Sequence, residues 1–140
     1  MTRAESHIKK ALWNLKAMNH NYQGEFYDWA IIAGYYAMYF ASLGALWTIG
    51  LWGKDHACVA KALRFFFVGK GKLEEQYLKS FEHAKKLEEK YVERLEEARR
   101  QRVKVQYNIV IVESKDAEWM MNTAKEFVRR LEKLVGEIRG

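Results

Sequence analysis

From Trp29 to Gly53 the chain carries no Asp, Glu, Lys or Arg. An uncharged run of this length must be surrounded by apolar matter, which means either lipid or other helices. It is long enough to span a bilayer. Ala33, Ala37, Ala41 and Ala45 recur at every fourth position, a small-residue stripe that also suits packed membrane helices. Against a membrane stand the hydroxyls of Tyr35, Tyr36, Tyr39 and Ser42 in mid-run, and flanks without a basic cluster. The other segments are amphipathic, and their apolar faces need a central helix to bury. The run is therefore read as the core helix of an all-α bundle, with no membrane partner.

The rest of the chain agrees with that reading. Proline is absent, and the nine glycines fall mostly between or after apolar-periodic runs, so long helices and short turns are expected. A first helix spans about Thr2 to Tyr22, with Ile8, Leu12, Leu15 and Met18 on one stripe, and Gly24 ends it. Asp28 is expected to cap the second helix, which continues to about Ile49. Asp55 caps a third, "HACVAKALRFFFV", broken by Gly69 and Gly71. A fourth starts near Leu73 and reaches at least Arg102. A fifth begins at Ser114 or Asp116, with Trp119, Ala124, Phe127, Val128, Leu131 and Leu134 or Val135 inward. Four to five helices in a single domain over residues 1–140 is the expected architecture.

Composition excludes some functions. Cys58 is the lone cysteine, so neither an intrachain disulfide nor a cysteine-based zinc site can form, which fits a reducing cytoplasm. The opening "MTRAESHIKKALWNLK" has lysines where a secretory signal needs an apolar core. The net charge of +6 permits contact with phosphate or an acidic partner, although a well-solvated surface explains it equally well. His7, His20 and His83 lack paired ligand spacing, so no metal site is expected, and no cofactor. "GKGK" lacks the length and the closing Ser/Thr of a phosphate loop and is a basic turn.

One junction departs from a plain bundle. The seam of helix four runs Leu73, Tyr77, Ser80, Ala84, Leu87, Tyr91, Leu95, Ala98, alternating by three and four, and its next position is Arg102. An arginine on a buried stripe needs a partner or a crevice. The rest of that helix, "KKLEEKYVERLEEARR", reads as a solvated face with i, i+4 pairs. Residues 103–112 then alternate like a strand. A lone strand has nothing to pair with except its twin across a dimer axis, so a helical continuation of poor propensity is the reading adopted.

Three segments together resemble one family. "DWAIIAGYYAMYFASLGALW" resembles the central helix of HEPN domains, alanine-rich with paired tyrosines. "DHACVAKAL" resembles the next helix of that family, and "RVKVQYNIVIVESKDAEWMMNTAKEFVRRL" its closing segment. The resemblance covers about Ile8 to Leu134. It implies a bundle of four or five helices, usually a homodimer, linked to RNA or nucleotides and often acting as the toxin beside a minimal nucleotidyltransferase antitoxin. Ribonuclease members carry Arg, four to six residues, then His, sometimes followed two residues later by Tyr. Arg100 and Tyr107 stand at that spacing here, but Val105 holds the histidine position. Counting from Arg102, the window contains Gln106, Tyr107 and Asn108, again without histidine. Cutting RNA without a metal needs a group that moves protons near neutral pH, and neither valine nor glutamine can.

The candidate site residues follow. Arg99, Arg100 and Arg102 can grip phosphate oxygens with their planar forks, although cations at a helix C-terminus are also ordinary. Tyr107 is either a buried aromatic or the polar edge of a pocket. His56, at a helix start, either bonds within the fold or faces a ligand. A binding site would draw on Arg99, Arg100, Arg102, Gln106, Tyr107 and His56. A ribonuclease with a non-standard site would use Arg102, His56 and Tyr107. The leading expectation is a non-catalytic protein that binds RNA, a nucleotide or a nucleotidyltransferase, with the ribonuclease and a purely structural dimer as alternatives.

Overall fold

A computed structural model describes residues 2–100 and 114–139. Among the described residues five α-helices form the bundle: α1 (Arg3–Gln23), α2 (Tyr27–Trp47), α3 (His56–Leu63), α4 (Glu75–Arg100) and α5 (Ser114–Arg139). Arg64–Val68 continues α3 as a π-helical turn, closed where the Gly69 N–H donates to the Arg64 carbonyl at 2.7 Å. There is no strand among the described residues. The expected course of the chain through Arg102 and residues 103–112 lies outside them.

α2 is the axis of the bundle. It packs on α1, α5, α4 and α3, and Ala30, Ile31, Tyr35, Met38, Ala41 and Leu46 are among its buried residues. By length and composition it could cross a membrane, but 67% of its most apolar window is covered by the other helices. Small residues set the distances. A Cβ at Gly34 would lie 2.3 Å from Met120 Cγ and 2.9 Å from Met18 Sδ, so glycine is what lets α5 and α1 close on α2 at this level.

The helix ends follow side-chain chemistry, with one departure from the sequence expectation, at Asp28. α1 opens on a capping box: Thr2 Oγ1 accepts from the Glu5 N–H at 3.1 Å, and Glu5 Oε2 accepts from the Thr2 N–H at 3.2 Å. At its other end Gly24 closes the helix as expected, with φ −80°, and the left-handed residue is the next one, Glu25 (φ 64°). A Cβ at Gly24 would sit 2.9 Å from the exposed Phe26 ring, which would have to shift. Asp28, expected as the cap of α2, lies inside its first turn, because Phe26 occupies the cap position and offers no side-chain acceptor. The Asp28 carboxylate accepts from the Trp29 N–H at 2.9 Å and places negative charge at the positive end of the helix. Asp55 does cap α3, accepting from the Cys58 N–H at 2.9 Å.

The expected seam of α4 holds at Leu73, Ala84, Leu87 and Tyr91, and Leu78, Phe81 and Glu88 are buried beside it, whereas Tyr77 and Ser80 are only partly buried. Glu88 is thereby turned inward from what reads as a solvated face. On α5, Ala117 and Met120 join the expected inward residues, and Trp119 is half-buried.

Candidate functional site

His56 stands where α2, α3 and α4 meet. The Asp55 cap fixes the start of α3 and so turns its first side chain toward the other two helices. Tyr35 from α2 places its hydroxyl 2.8 Å from His56 Nδ1, and Glu82 from α4 places Oε1 3.0 Å from His56 Nε2. An ionised carboxylate can only accept, so Nε2 donates to Glu82, and in the tautomer with its proton there Nδ1 accepts from the phenol. Burial, then the charge of Glu88, raises the Tyr35 hydroxyl far above the usual phenol range and keeps it a donor. The ring of His56 stacks on Phe81, 4.4 Å between centroids.

The network continues down α4. Lys85 Nζ lies 5.1 Å from the centre of the Tyr35 ring and 3.3 Å from Glu88 Oε1, and Glu88 is only 5% exposed. A shallow groove of about 410 Å³ opens beside His56, lined by Ala57, Ala60, Lys61, Arg64, Leu78 and Glu82. Arg64 at its rim is held by both oxygens of Glu75, at 2.9 and 3.2 Å, which keeps the Glu75 carboxyl below its ordinary range.

Chemically, this arrangement suits holding better than transfer. A general base must present one nitrogen within hydrogen-bond reach of the proton it takes, which at Nε2 means displacing Glu82. Both nitrogens of His56 are engaged within the fold, and the relay ends on a phenol that is 2% exposed. A proton passed along it has no outlet to solvent at the Tyr35 end.

The other candidates sit elsewhere. Arg99 and Arg100 are exposed on the last described turn of α4, without an ion pair among the described residues. Glu82 and Arg99 are separated by about 25 Å of helix at 1.5 Å per residue. One chain therefore does not bring His56 and these arginines into a single pocket. Arg102, Gln106 and Tyr107, with Val105 at the missing histidine position, lie outside the described residues. Nearer the arginine end, Tyr91 donates to Asp116 Oδ2 at 2.5 Å, and Lys90 and Arg94 each lie 5.2 Å from the Tyr91 ring centre. Lys90 Nζ also approaches Asp116 at 3.5 Å. This joint between α4 and α5 was half legible: a buried seam tyrosine needs a partner, and Asp116 was visible only as a helix start. Among the described residues no group of three or more His, Cys, Asp or Glu side chains could hold a metal.

The profile of the HEPN domain matches residues 4–134, nearly the whole chain. The chain belongs to the HEPN domain family. No curated protein matches it significantly. The family accounts for the all-α bundle around α2 and for the order of the helices. Membership sharpens the question of the arginine–histidine motif, because this HEPN chain has its histidines at 7, 20, 56 and 83 and none after the arginines of α4.

Proposed function

We propose that this HEPN protein binds rather than cuts: a cytoplasmic homodimer that holds RNA or a nucleotide through Arg102 and its neighbours, and works with a minimal nucleotidyltransferase in a toxin–antitoxin pair. The observation that carries the reading is the state of His56. The sequence has no histidine at Val105 or Gln106, and the one histidine that could stand in for it has both ring nitrogens occupied by Tyr35 and Glu82. Arginine stays charged at all ordinary pH and grips phosphate, but it cannot shuttle protons, so binding outlasts catalysis.

The test is incubation of purified protein with cellular RNA at several salt concentrations, scoring retention and cleavage separately. RNA retention that weakens with salt, without fragments, is expected. Arg102→Ala should lower the affinity by about 1–3 kcal/mol, the scale of a lost charged hydrogen bond. Metal-independent cleavage abolished by His56→Ala would overturn the proposal in favour of a ribonuclease with a non-standard site. Light scattering should give twice the 16.6 kDa of the chain. Co-purification with the product of a neighbouring nucleotidyltransferase gene would identify the partner.

A further inference from the structure

On the face formed by α1 and the end of α2, cations and aromatic rings alternate. Arg3, His7 and Lys10 lie four and three residues apart on α1, opposite Trp47 and Phe40 of α2. The Arg3 guanidinium carbon is 5.0 Å from the Trp47 ring centre, and Lys10 Nζ is 5.5 Å from that of Phe40. Between them the His7 ring lies almost parallel to both, 6.3 Å from Phe40 at 13° and 6.4 Å from Trp47 at 16°. Trp52, from the turn that follows α2, stacks on Trp47 at 5.6 Å and 22°. A groove of about 400 Å³ runs here, lined by Arg3, His7, Leu43, Trp47, Trp52 and Gly53.

Phe40 and Trp47 pack against the core, but the outer members of this ladder do not. Trp52 is 65% exposed, and Arg3 and Lys10 are exposed without a carboxylate in ion-pair contact among the described residues. His7 Nδ1 is buried with no hydrogen-bond partner. The turn that carries Trp52 is nonetheless held firmly. The Leu51 N–H donates to the Leu46 carbonyl at 3.0 Å, and Gly53 lies so close to α3 that a Cβ would meet Val59 Cγ2 at 2.5 Å. An exposed indole is thus presented on a fixed support.

We infer that this face is a stacking site for single-stranded RNA, with a base laid on Trp52 and the adjoining phosphates drawn to Arg3 and Lys10. Single-stranded nucleic acid is held by flat aromatic surfaces bordered by positive charge, since each base has a π-face and each phosphate a negative one. A lipid surface would call for a continuous apolar face, whereas here ring faces are shared with unneutralised cations, which a polyanion with flat bases matches on both counts. The inference takes from the proposed function only that the ligand is RNA. It places the contact on the α1–α2 face, apart from both Arg102 and the His56 groove.

The experiment titrates the protein with a fluorescent adenine oligonucleotide about ten residues long, and with inorganic polyphosphate as a probe that has charge but no bases. Trp52→Ala should weaken oligonucleotide binding about tenfold or more while leaving polyphosphate binding unchanged. Trp52→Phe, which keeps a flat ring, should recover most of the loss. Arg3→Gln with Lys10→Gln should make the affinity less dependent on salt. Undiminished oligonucleotide binding by Trp52→Ala overturns the inference, as does an equal loss toward polyphosphate. Self-association that depends on Trp52, without RNA binding, also overturns it and gives the face to a second copy. If Arg102→Ala abolishes binding and Trp52→Ala does not, this inference fails while the proposed function stands. A wild-type protein that retains no RNA sinks both.

Discussion

Tyr35→Phe removes a single oxygen, and its effect separates a holding histidine from a working one. The phenylalanine ring fills the same space, so no cavity opens, and the Phe81 face 5.9 Å away is unchanged. What is lost is the 2.8 Å hydrogen bond to His56 Nδ1. The His56 side chain is 12% exposed, so water replaces the lost donor only in part. A neutral hydrogen bond contributes about 0.5–1.5 kcal/mol net, and an acceptor left unsatisfied raises the loss to about 1–2 kcal/mol. For a chain of this length that lowers the thermal midpoint by about 3–8 °C. Glu82→Gln should cost less, because Glu82 is half exposed and its pairing is screened. Thermal and urea unfolding of the variants measure these losses, and RNA retention by Tyr35→Phe should match the wild type. The reasoning is refuted if Tyr35→Phe leaves stability intact while altering RNA binding or cleavage, for then His56 acts on a ligand rather than on the fold.

Three further outcomes follow from the packing and the charges. Glu25→Gly should stabilise the protein by about 0.5–1 kcal/mol, since Glu25 sits at φ 64°, where a side chain is strained and glycine is not; urea titration reads it. Gly34→Ala should destabilise by about 1–3 kcal/mol, because its Cβ would meet Met120 Cγ at 2.3 Å and force α2 and α5 apart; a midpoint within 1 °C of wild type, well under the roughly 3 °C expected per kcal/mol, would contradict the close approach. Burial, then Lys10 and Arg3, hold the His7 ring below its ordinary 6.5, so the unfolded chain takes up that proton more readily. That stability is complete above pH 6.5 and is lost as pH falls through the folded value, and His7→Phe should flatten the decline of the thermal midpoint below pH 6.5.

The sequence by itself determined the class of the fold and most helix boundaries, because both rest on short-range physics. An uncharged run from Trp29 to Gly53 must be covered, a chain without proline keeps its helices long, and Thr2 with Glu5 or Asp55 with the Cys58 N–H closes a helix start within three residues. The order of three local patterns was enough to reveal the HEPN family. Periodicity states which face of a helix turns inward but not what it meets there. Tyr35, His56 and Glu82 are 21 and 26 residues apart along the chain, and their meeting follows from the angles at which α2, α3 and α4 pack. Glu88 reads as one more surface charge, yet the 3.6-residue turn of α4 carries it beneath Lys85. The left-handed residue after α1 is Glu25 rather than Gly24, which no local residue preference announces. The cation and aromatic ladder of α1 and α2 is likewise tertiary: Arg3 and Trp47 are remote in sequence and are neighbours only because the two helices fold back on each other.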